Sequence, residues 1–555
     1  MRTLHKSAWL LAALSGGLQV LVFPTPNLYW LSWIAFAPLL LAVLQARIPD
    51  GVSTASSGRE SLLPATAGQA FLLGWLSGAI FYAGSCYWVM YTMHEYGGLD
   101  TAAALGVLVL FCLWVGAQTG LFTLLLSWAA RGAGKPGPGI RRALVLAPFL
   151  WVAVEFSRTH IIGFPWDLLG TAQVDNIPMT RLATVTGVYG LSFEIILVNT
   201  AFAAAFLARR GSRRLLLVAA VLAAIALQSS VFVQPPPAPA METARLVQQN
   251  IPLDENWTPE SFRHTLDQLS RKSLPPPPAE SMGEPAAELI VWPESPAPFF
   301  SNDPLFRSTM SQLARQARAY VIVGEVGINY VAHGPVEPPQ IFNSAALVAP
   351  DGHWADRYDK IHLVPFGEYV PFKGLFGFAH QLTREVGDFV SGWQRRDFDL
   401  GGYKVGTFIC YESIFPNEVR QFAADGAQVF VNLSNDEWYG HTAAPYQHLN
   451  QARMRAIENR RWILRDTNSG ITASIDPYGR IVEEAPRDVQ TALLVPFGVV
   501  RETTFYTRHG DWFAWLCVII TAVAGLWSLR AAVGLRPERA TRARGDGEVV
   551  CQCSS

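Results

Sequence analysis

Charge is what this chain has least of. Only 16% of its 555 residues are Asp, Glu, Lys or Arg, and 50% are hydrophobic, whereas charged residues make up roughly a quarter of an ordinary soluble domain. The shortage is uneven. Charges are almost confined to short loops across residues 9–161 and are dense across 242–508, so a membrane part and a soluble part share the chain. The formal net charge of −1 supplies no basic field for a polyanion, and no nucleic-acid partner is expected. Cysteine is scarce as well. Six are present, at positions 86, 112, 410, 517, 551 and 553, and Cys410 is the only one in the soluble block, which rules out a disulfide within it. A lone thiol is ordinarily a small buried hydrophobe; outside the cytoplasm it is open to oxidation and needs a chemical reason to be there.

Eight apolar runs fit membrane helices, at 8–23, 28–44, 69–90, 102–130, 143–156, 188–207, 215–232 and 512–529, because a helix satisfies its own backbone polar groups in lipid. Residues 1–23 also have the outline of a signal peptide, but no small-residue cleavage site follows them. Lys and Arg orient the spans. Arg2 and Lys6, Arg47 and Arg59, the 131–142 loop, the 209–214 loop and the segment after 530 all fall on one side, while loops 24–27 and 92–101 contain neither residue. Both termini are therefore expected in the cytoplasm and the segment between spans seven and eight outside it. The loop 158–186, with GFPW at 163–166, falls on the outer side; Trp166 reads as an interface anchor in preference to an active-site residue.

The expected domains are a membrane domain over 1–233, a Pro-rich linker over 234–241 (QPPPAPA within it), a soluble domain over 242–508, an eighth helix over 509–530 and a tail over 531–555. In the soluble block strand and helix signals alternate. Strands are expected at 244–249, 289–292, 320–326, 344–349, 403–409, 428–433, 463–466, 472–475 and 492–495, with helices at 259–271, 304–319, 417–424 and 446–460. This alternation argues a layered α/β domain. Residues 274–288 read as a Pro-rich surface loop. The segment 372–378, FKGLFGF, reads equally as an arm resting in lipid and as a loop buried on the domain.

Three strand ends carry chemistry. GGYKVGTFICYES at 401–413 is a strand that stops in Cys410, VWPES at 291–295 stops at Pro293 and presents Glu294, and YDKIHLVPFGEYVPF at 358–372 offers Lys360 and Glu368. Taken singly, each has a bland reading as a buried thiol, a solvated carboxylate or an exposed ion pair. Together they complement one another. A thiol attacks as thiolate and wants a base and a nearby cation. Glu294 can take its proton, and Lys360, with the Tyr411 N–H, can hold the oxyanion that forms on a carbonyl.

WPES, the lysine in YDKIHLVPFGEYVP and the ICYE segment resemble the nitrilase (carbon–nitrogen hydrolase) superfamily with its Glu–Lys–Cys triad. HLVPFGEYVP and SNDEWYG at 434–440 make the sequence more similar to the superfamily's membrane-bound branch, the apolipoprotein N-acyltransferases. The resemblance implies an α-helical polytopic membrane domain of eight TM helices and a nitrilase-like α-β-β-α sandwich. It implies Glu294 as base, Lys360 as oxyanion stabiliser and Cys410 as nucleophile. Glu368, Tyr411, Glu412, Trp257 and Trp438 follow as supporting or substrate-binding residues, although the 274–288 loop separates Trp257 from Glu294 by more than the family's spacing. The implied activity moves an acyl chain from a membrane phospholipid, through a Cys thioester, to the amino group of an N-terminal diacylglyceryl-cysteine. Also implied are a multi-pass protein of the bacterial inner membrane with its catalytic domain periplasmic, a monomer, and no cofactor or metal. A membrane-tethered amidase or nitrilase acting on water would share the triad. A transporter with an inert domain is disfavoured by the scarcity of intramembrane charge. The tail CQCSS at 551–555 matches no part of the family pattern and reads as a disordered end.

Overall fold

A computed structural model describes residues 4–48, 62–131, 136–208, 210–275, 286–329, 339–369 and 389–534. The arm reading at 372–378, the middle of the 274–288 loop and the CQCSS tail lie outside the described residues.

Among the described residues three helices, Thr101–Arg131, Val188–Leu207 and Gly211–Phe232, are long and apolar enough to cross a bilayer. The run read as one span over 69–90 is instead a pair, Ala67–Ser85 and Trp88–Glu95, bent by 54°. The run at 28–44 is likewise broken, into a turn at Tyr29–Trp33 and a helix at Ala37–Leu44. Lys6–Val22, Pro136–Ser157 and Trp512–Gly534 complete the long helices. Close packing follows from small residues. At Gly74 and Gly78 a β-carbon would fall within 2.4 and 2.7 Å of backbone oxygens of Thr101–Arg131, the close approach that small residues permit between membrane helices.

The soluble block has twelve strands: β1 Glu242–Gln248, β2 Leu289–Trp292, β3 Tyr320–Asn329, β4 Gln340–Val348, β5 Trp354–Asp359, β6 Asp397–Asp399, β7 Lys404–Ile409, β8 Val429–Ser434, β9 Ile463–Thr467, β10 Ala473–Ile475, β11 Ile481–Glu484 and β12 Thr491–Phe497. They form two six-stranded sheets, ordered β12-β1-β2-β3-β4-β5 and β11-β10-β9-β8-β7-β6. In the first, β1, β2 and β3 run parallel; in the second, β7, β8 and β9 do. Strands β5, β6 and β11 were not read from the sequence.

The period-two alternation of a strand sorts the apolar side chains. Leu289 and Val291 of β2 face Phe408, Val431 and Leu464 in the core between the sheets, while Ile290 and Trp292 point out to Phe306 and Leu313. Helices Pro259–Ser273 and Pro304–Ala317 cover that outer face, and Pro416–Asp425 and Ala444–Asn459 cover the other sheet. The α-β-β-α sandwich expected from the resemblance is present. Thr258 and Asp303 cap the first two helices by accepting the Ser261 and Phe306 N–H groups.

The two halves are joined by side chains as well as by chain. Helix Ala444–Asn459 is buried along nearly its whole length. Its Gln447 donates to the carbonyls of Pro24 and Ser85 at 3.2 and 3.0 Å, Glu458 accepts the Val188 N–H at 3.0 Å, and Arg453 meets Asp175 at 2.6 Å. The Pro-rich linker is strapped down where Arg480 donates to the carbonyls of Pro235 and Pro236. The 158–186 loop corrects the sequence reading of Trp166. That indole is 0% exposed and packs between Trp88 and His448, so it is an internal contact of the two halves rather than an interface anchor.

Candidate active site

Strand β5 is antiparallel to β4, which is antiparallel to β3, so β5 runs parallel to β3 and β2. The residues just beyond β2, β5 and β7 are Glu294, Lys360 and Cys410 at strand carboxyl ends, the customary edge for chemistry in open α/β sheets. Gly324 of β3 makes room for the first of them: a β-carbon there would sit 2.1 Å from the Pro293 carbonyl oxygen and 2.9 Å from Glu294 Cα.

Lys360 lies between two carboxylates. Its Nζ donates to Glu294 Oε1 at 3.1 Å and to Glu368 Oε1 at 3.0 Å. Asn343, from β4, donates its Nδ2 to the same two oxygens at 2.7 and 2.6 Å, and the Val364 N–H holds Glu368 Oε2 at 2.7 Å. All four side chains are buried. Burial alone would lower the lysine pKa, but the charges of Glu294 and Glu368 outweigh it and hold the ammonium well above its ordinary value. Glu294 Oε2 has no partner among the described residues. One acceptor of this carboxylate is thus uncommitted.

Cys410 is 4% exposed and has a left-handed backbone, φ +50°, a conformation that non-glycine residues hold only where their surroundings enforce it. Burial pushes its thiol up, Glu294 adds to this, and Lys360 pulls it down; the net displacement is strongly upward. The thiol is therefore within electrostatic reach of both residues, and its surroundings favour the protonated form.

Glu412 ties the Cys410 turn to the lysine loop. Oε1 accepts from Tyr358 Oη at 2.7 Å, from the Ile361 N–H at 2.7 Å and from the His362 N–H at 3.2 Å, while Oε2 accepts the Ile409 N–H at 2.7 Å. Four donors on one carboxylate fix the segments on either side of Lys360 and Cys410. Tyr411 lies in the first turn of the short helix Cys410–Ile414, where N–H groups have no intrahelical acceptor; its hydroxyl donates to the Gly163 carbonyl at 3.0 Å.

The two tryptophans part company. Trp438 is half-buried; Tyr96 packs edge-on to its ring at 5.2 Å and Thr92 donates to its carbonyl at 2.9 Å, which sets it against the bent helix pair. Trp257 packs on Phe262 in the apolar layer under the outer helices, a different cluster from the one that contains Cys410.

Sequence reading missed Asn343 and the buried set His448, Asp436 and Arg465. A polar residue in the apolar strand IFNSAALV was the available signal for the first. Asp436 was visible in SNDEWYG, but its partners lie on another helix and another strand. No group of three or more His, Cys, Asp or Glu among the described residues is arranged to hold a metal ion.

Residues 243–497 match the family model described as carbon-nitrogen hydrolase, and residues 15–201 match that of the apolipoprotein N-acyltransferase N-terminal domain. A Geobacter metallireducens protein named apolipoprotein N-acyltransferase is 35% identical over 534 residues, covering 94% of this chain and 95% of its own length. One of the same name from Methylococcus capsulatus is 33% identical over 469 residues, covering 83% and 88%. Among solved structures, an amidase from Nesterenkonia sp. is 21% identical, with a TM-score of 0.36, and covers 50% of this chain and 98% of that one.

Proposed function

The chain belongs to the apolipoprotein N-acyltransferase family, and on that footing we propose that Cys410 carries the acyl chain between the two substrates of lipoprotein N-acylation. The protein is a bacterial inner-membrane acyltransferase, with a phospholipid donor and a lipoprotein acceptor. The observation that supports the residue roles is the Lys360 ammonium held between Glu294 and Glu368, with the free oxygen of Glu294 and the Cys410 thiol in the same electrostatic neighbourhood.

In the first half-reaction Glu294 takes the thiol proton as Sγ attacks the ester carbonyl carbon of the phospholipid. The carbonyl electrons move onto oxygen, where Lys360 and the Tyr411 N–H receive them. The oxyanion collapses, the ester C–O bond breaks, and Glu294 returns the proton to the departing lysophospholipid. A thioester remains. In the second, the amine of the diacylglyceryl-cysteine attacks that thioester, Glu294 takes an amine proton, the C–N bond forms, the C–S bond breaks and the thiol is re-protonated. A thioester hydrolyses slowly but reacts well with an amine, and covalent catalysis divides one hard acyl transfer into two easier ones. Because the raised thiol pKa leaves little standing thiolate, proton removal belongs to the attack itself.

The same reading takes the chain as a monomer with eight membrane spans. Residues 1–233 form the membrane domain and 242–508 a periplasmic domain, 509–530 is the last span, and both termini are cytoplasmic, as the loop Lys and Arg imply. Trp438 belongs to the substrate entrance; Trp257 stands apart from it. Intact-mass analysis after incubation with phospholipid tests the chemistry. The expected result is one acyl adduct on Cys410, removed by hydroxylamine and passed to a diacylglyceryl peptide. No adduct, or transfer undiminished in Cys410→Ser, would overturn it.

A further inference from the structure

We propose that His448 is a positioning residue for Cys410, held in place by a tryptophan that the membrane half supplies. The inference rests on Cys410 being the nucleophile. His448 is 0% exposed, and its Nε2 lies 3.0 Å from the Cys410 carbonyl oxygen. A carbonyl only accepts, so Nε2 donates. That bond fixes the peptide leaving a residue whose φ is +50°, and the direction of the Cys410 Cα–Cβ bond depends on that peptide's orientation.

The ring is itself held on three sides. Nδ1 lies 2.9 Å from Asp436 Oδ1, and Asp436 Oδ2 accepts from Arg465 at 2.8 Å. Arg465 also donates to Asn432 Oδ1, so strands β8 and β9 both contribute to the pair. Burial works against the Asp436 carboxylate, but Arg465 and His448 more than offset it and hold the acid well below its ordinary range. Trp166 stacks on the imidazole at 5.7 Å, with 27° between the planes, and Tyr439 meets its edge at 6.1 Å.

Trp166 is in turn fixed from both halves. Its Nε1 donates to Gln447 Oε1 at 2.8 Å, and its carbonyl accepts from Arg158 at 2.9 Å. Gln447 also donates to the Ser85 carbonyl at 3.0 Å. A continuous set of contacts thus runs from Arg158 and Ser85 through Trp166 to His448 and the Cys410 backbone. His448 need not touch substrate; it sets where the sulfur sits, and displacement of a reacting atom by about 1 Å costs on the order of a hundredfold.

The test is the single-turnover rate of acyl adduct formation on Cys410, read by intact mass. The purified full-length protein is mixed with micelles of diacyl phosphatidylethanolamine and phosphatidylglycerol. His448→Leu removes the donor; His448→Gln restores an N–H of similar reach; Trp166→Leu removes the stack and the bond to Gln447 and leaves the Asp436 and Arg465 contacts. The expected result is a rate loss of about a hundredfold in His448→Leu and about tenfold or more in Trp166→Leu. His448→Gln should recover at least about tenfold over His448→Leu, with KM for phospholipid little changed throughout. If His448→Leu does not fold, Trp166→Leu and His448→Gln carry the comparison: an acylation rate in Trp166→Leu equal to wild type overturns the proposal. So does a folded His448→Leu at the wild-type rate, or a loss that His448→Gln does not relieve. Absence of any adduct on wild-type Cys410 would instead remove the nucleophile assignment.

Discussion

Glu294 and Glu368 share one ammonium: their Oε1 atoms lie 3.1 and 3.0 Å from Lys360 Nζ, and one Asn343 amide nitrogen bonds both. The sharing is unequal in what it leaves free. Glu368 Oε2 is taken by the Val364 N–H, whereas Glu294 Oε2 has no partner among the described residues. Glu294 is thus distinguished from its neighbour by an uncommitted oxygen, which suits the role of base proposed for it. Glu294→Gln is expected to slow acylation of Cys410 by about a thousandfold or more, the range for loss of a general base. Glu368→Gln, which keeps the geometry and loses one charge, should cost about ten- to a hundredfold. Stopped-flow or quenched-flow acylation rates distinguish them; equal losses would make both carboxylates part of one proton-transfer unit.

Removing the cation has a different signature. Lys360→Met leaves two buried carboxylates facing each other, and loss of one partner from a buried pair costs about 3–5 kcal/mol. The variant is expected to be inactive and destabilised by that order. Adding Glu294→Gln and Glu368→Gln should return much of the stability and none of the activity. Thermal unfolding in detergent beside acyl transfer checks both halves of the statement.

The thiol is displaced upward by burial first and by Glu294 second, against the pull of Lys360. An ordinary thiol alkylates faster with rising pH until it levels off near its pKa of about 8.5. For Cys410 the iodoacetamide rate should go on rising past that point, to pH 10 and above. A plateau at or below neutral pH would mean a standing thiolate–ammonium pair. Mass analysis of the alkylated protein assigns the site, because Cys86, Cys112 and Cys517 are also buried free thiols.

Glu325 offers a stability test away from the chemistry. It is 1% exposed, its Oε2 lacks a partner among the described residues, and burial lifts its carboxyl from 4.5 to about 7, with Arg357 and Arg307 pulling the other way. The folded pKa exceeds the unfolded one, so the folded state keeps its proton longer. The stability this contributes is complete below about pH 4.5 and drains away as pH rises through about 7. Glu325→Gln should therefore leave stability unchanged at pH 4 and raise it at pH 8 by about 1–3 kcal/mol. Denaturation midpoints at the two pH values measure it.

Much of this site was legible because its parts end strands. Apolar runs that break at Pro293 or at Cys410 announce a strand tip, and a charged or sulfur-bearing residue there stands out against its neighbours. The bend after Ser85 was not legible. The apolar run continues through it, and hydropathy does not register a 54° change of direction. Strands β5, β6 and β11 were missed because Trp354–Asp359, Asp397–Asp399 and Ile481–Glu484 are short and rich in charge at sheet margins, where pairing with a neighbour overrides propensity. Trp166 was misplaced for a related reason. An indole beside proline in an outer loop looks like a bilayer anchor until the loop folds inward over another domain. Asn343 and His448 needed the fold itself, since nothing in sequence spacing brings β4 within reach of the loop after β2 or the helix Ala444–Asn459 beside Cys410.

That helix also bears on how the protein can be made. Gln447, Arg453 and Glu458 find their partners in the transmembrane half, and excision of residues 242–508 would leave those groups facing water or one another along an otherwise apolar seam. The hydrolase-like half is therefore expected to fold with the surrounding helices in place, and a fragment cut from them is expected to be less stable than the same residues within the full chain.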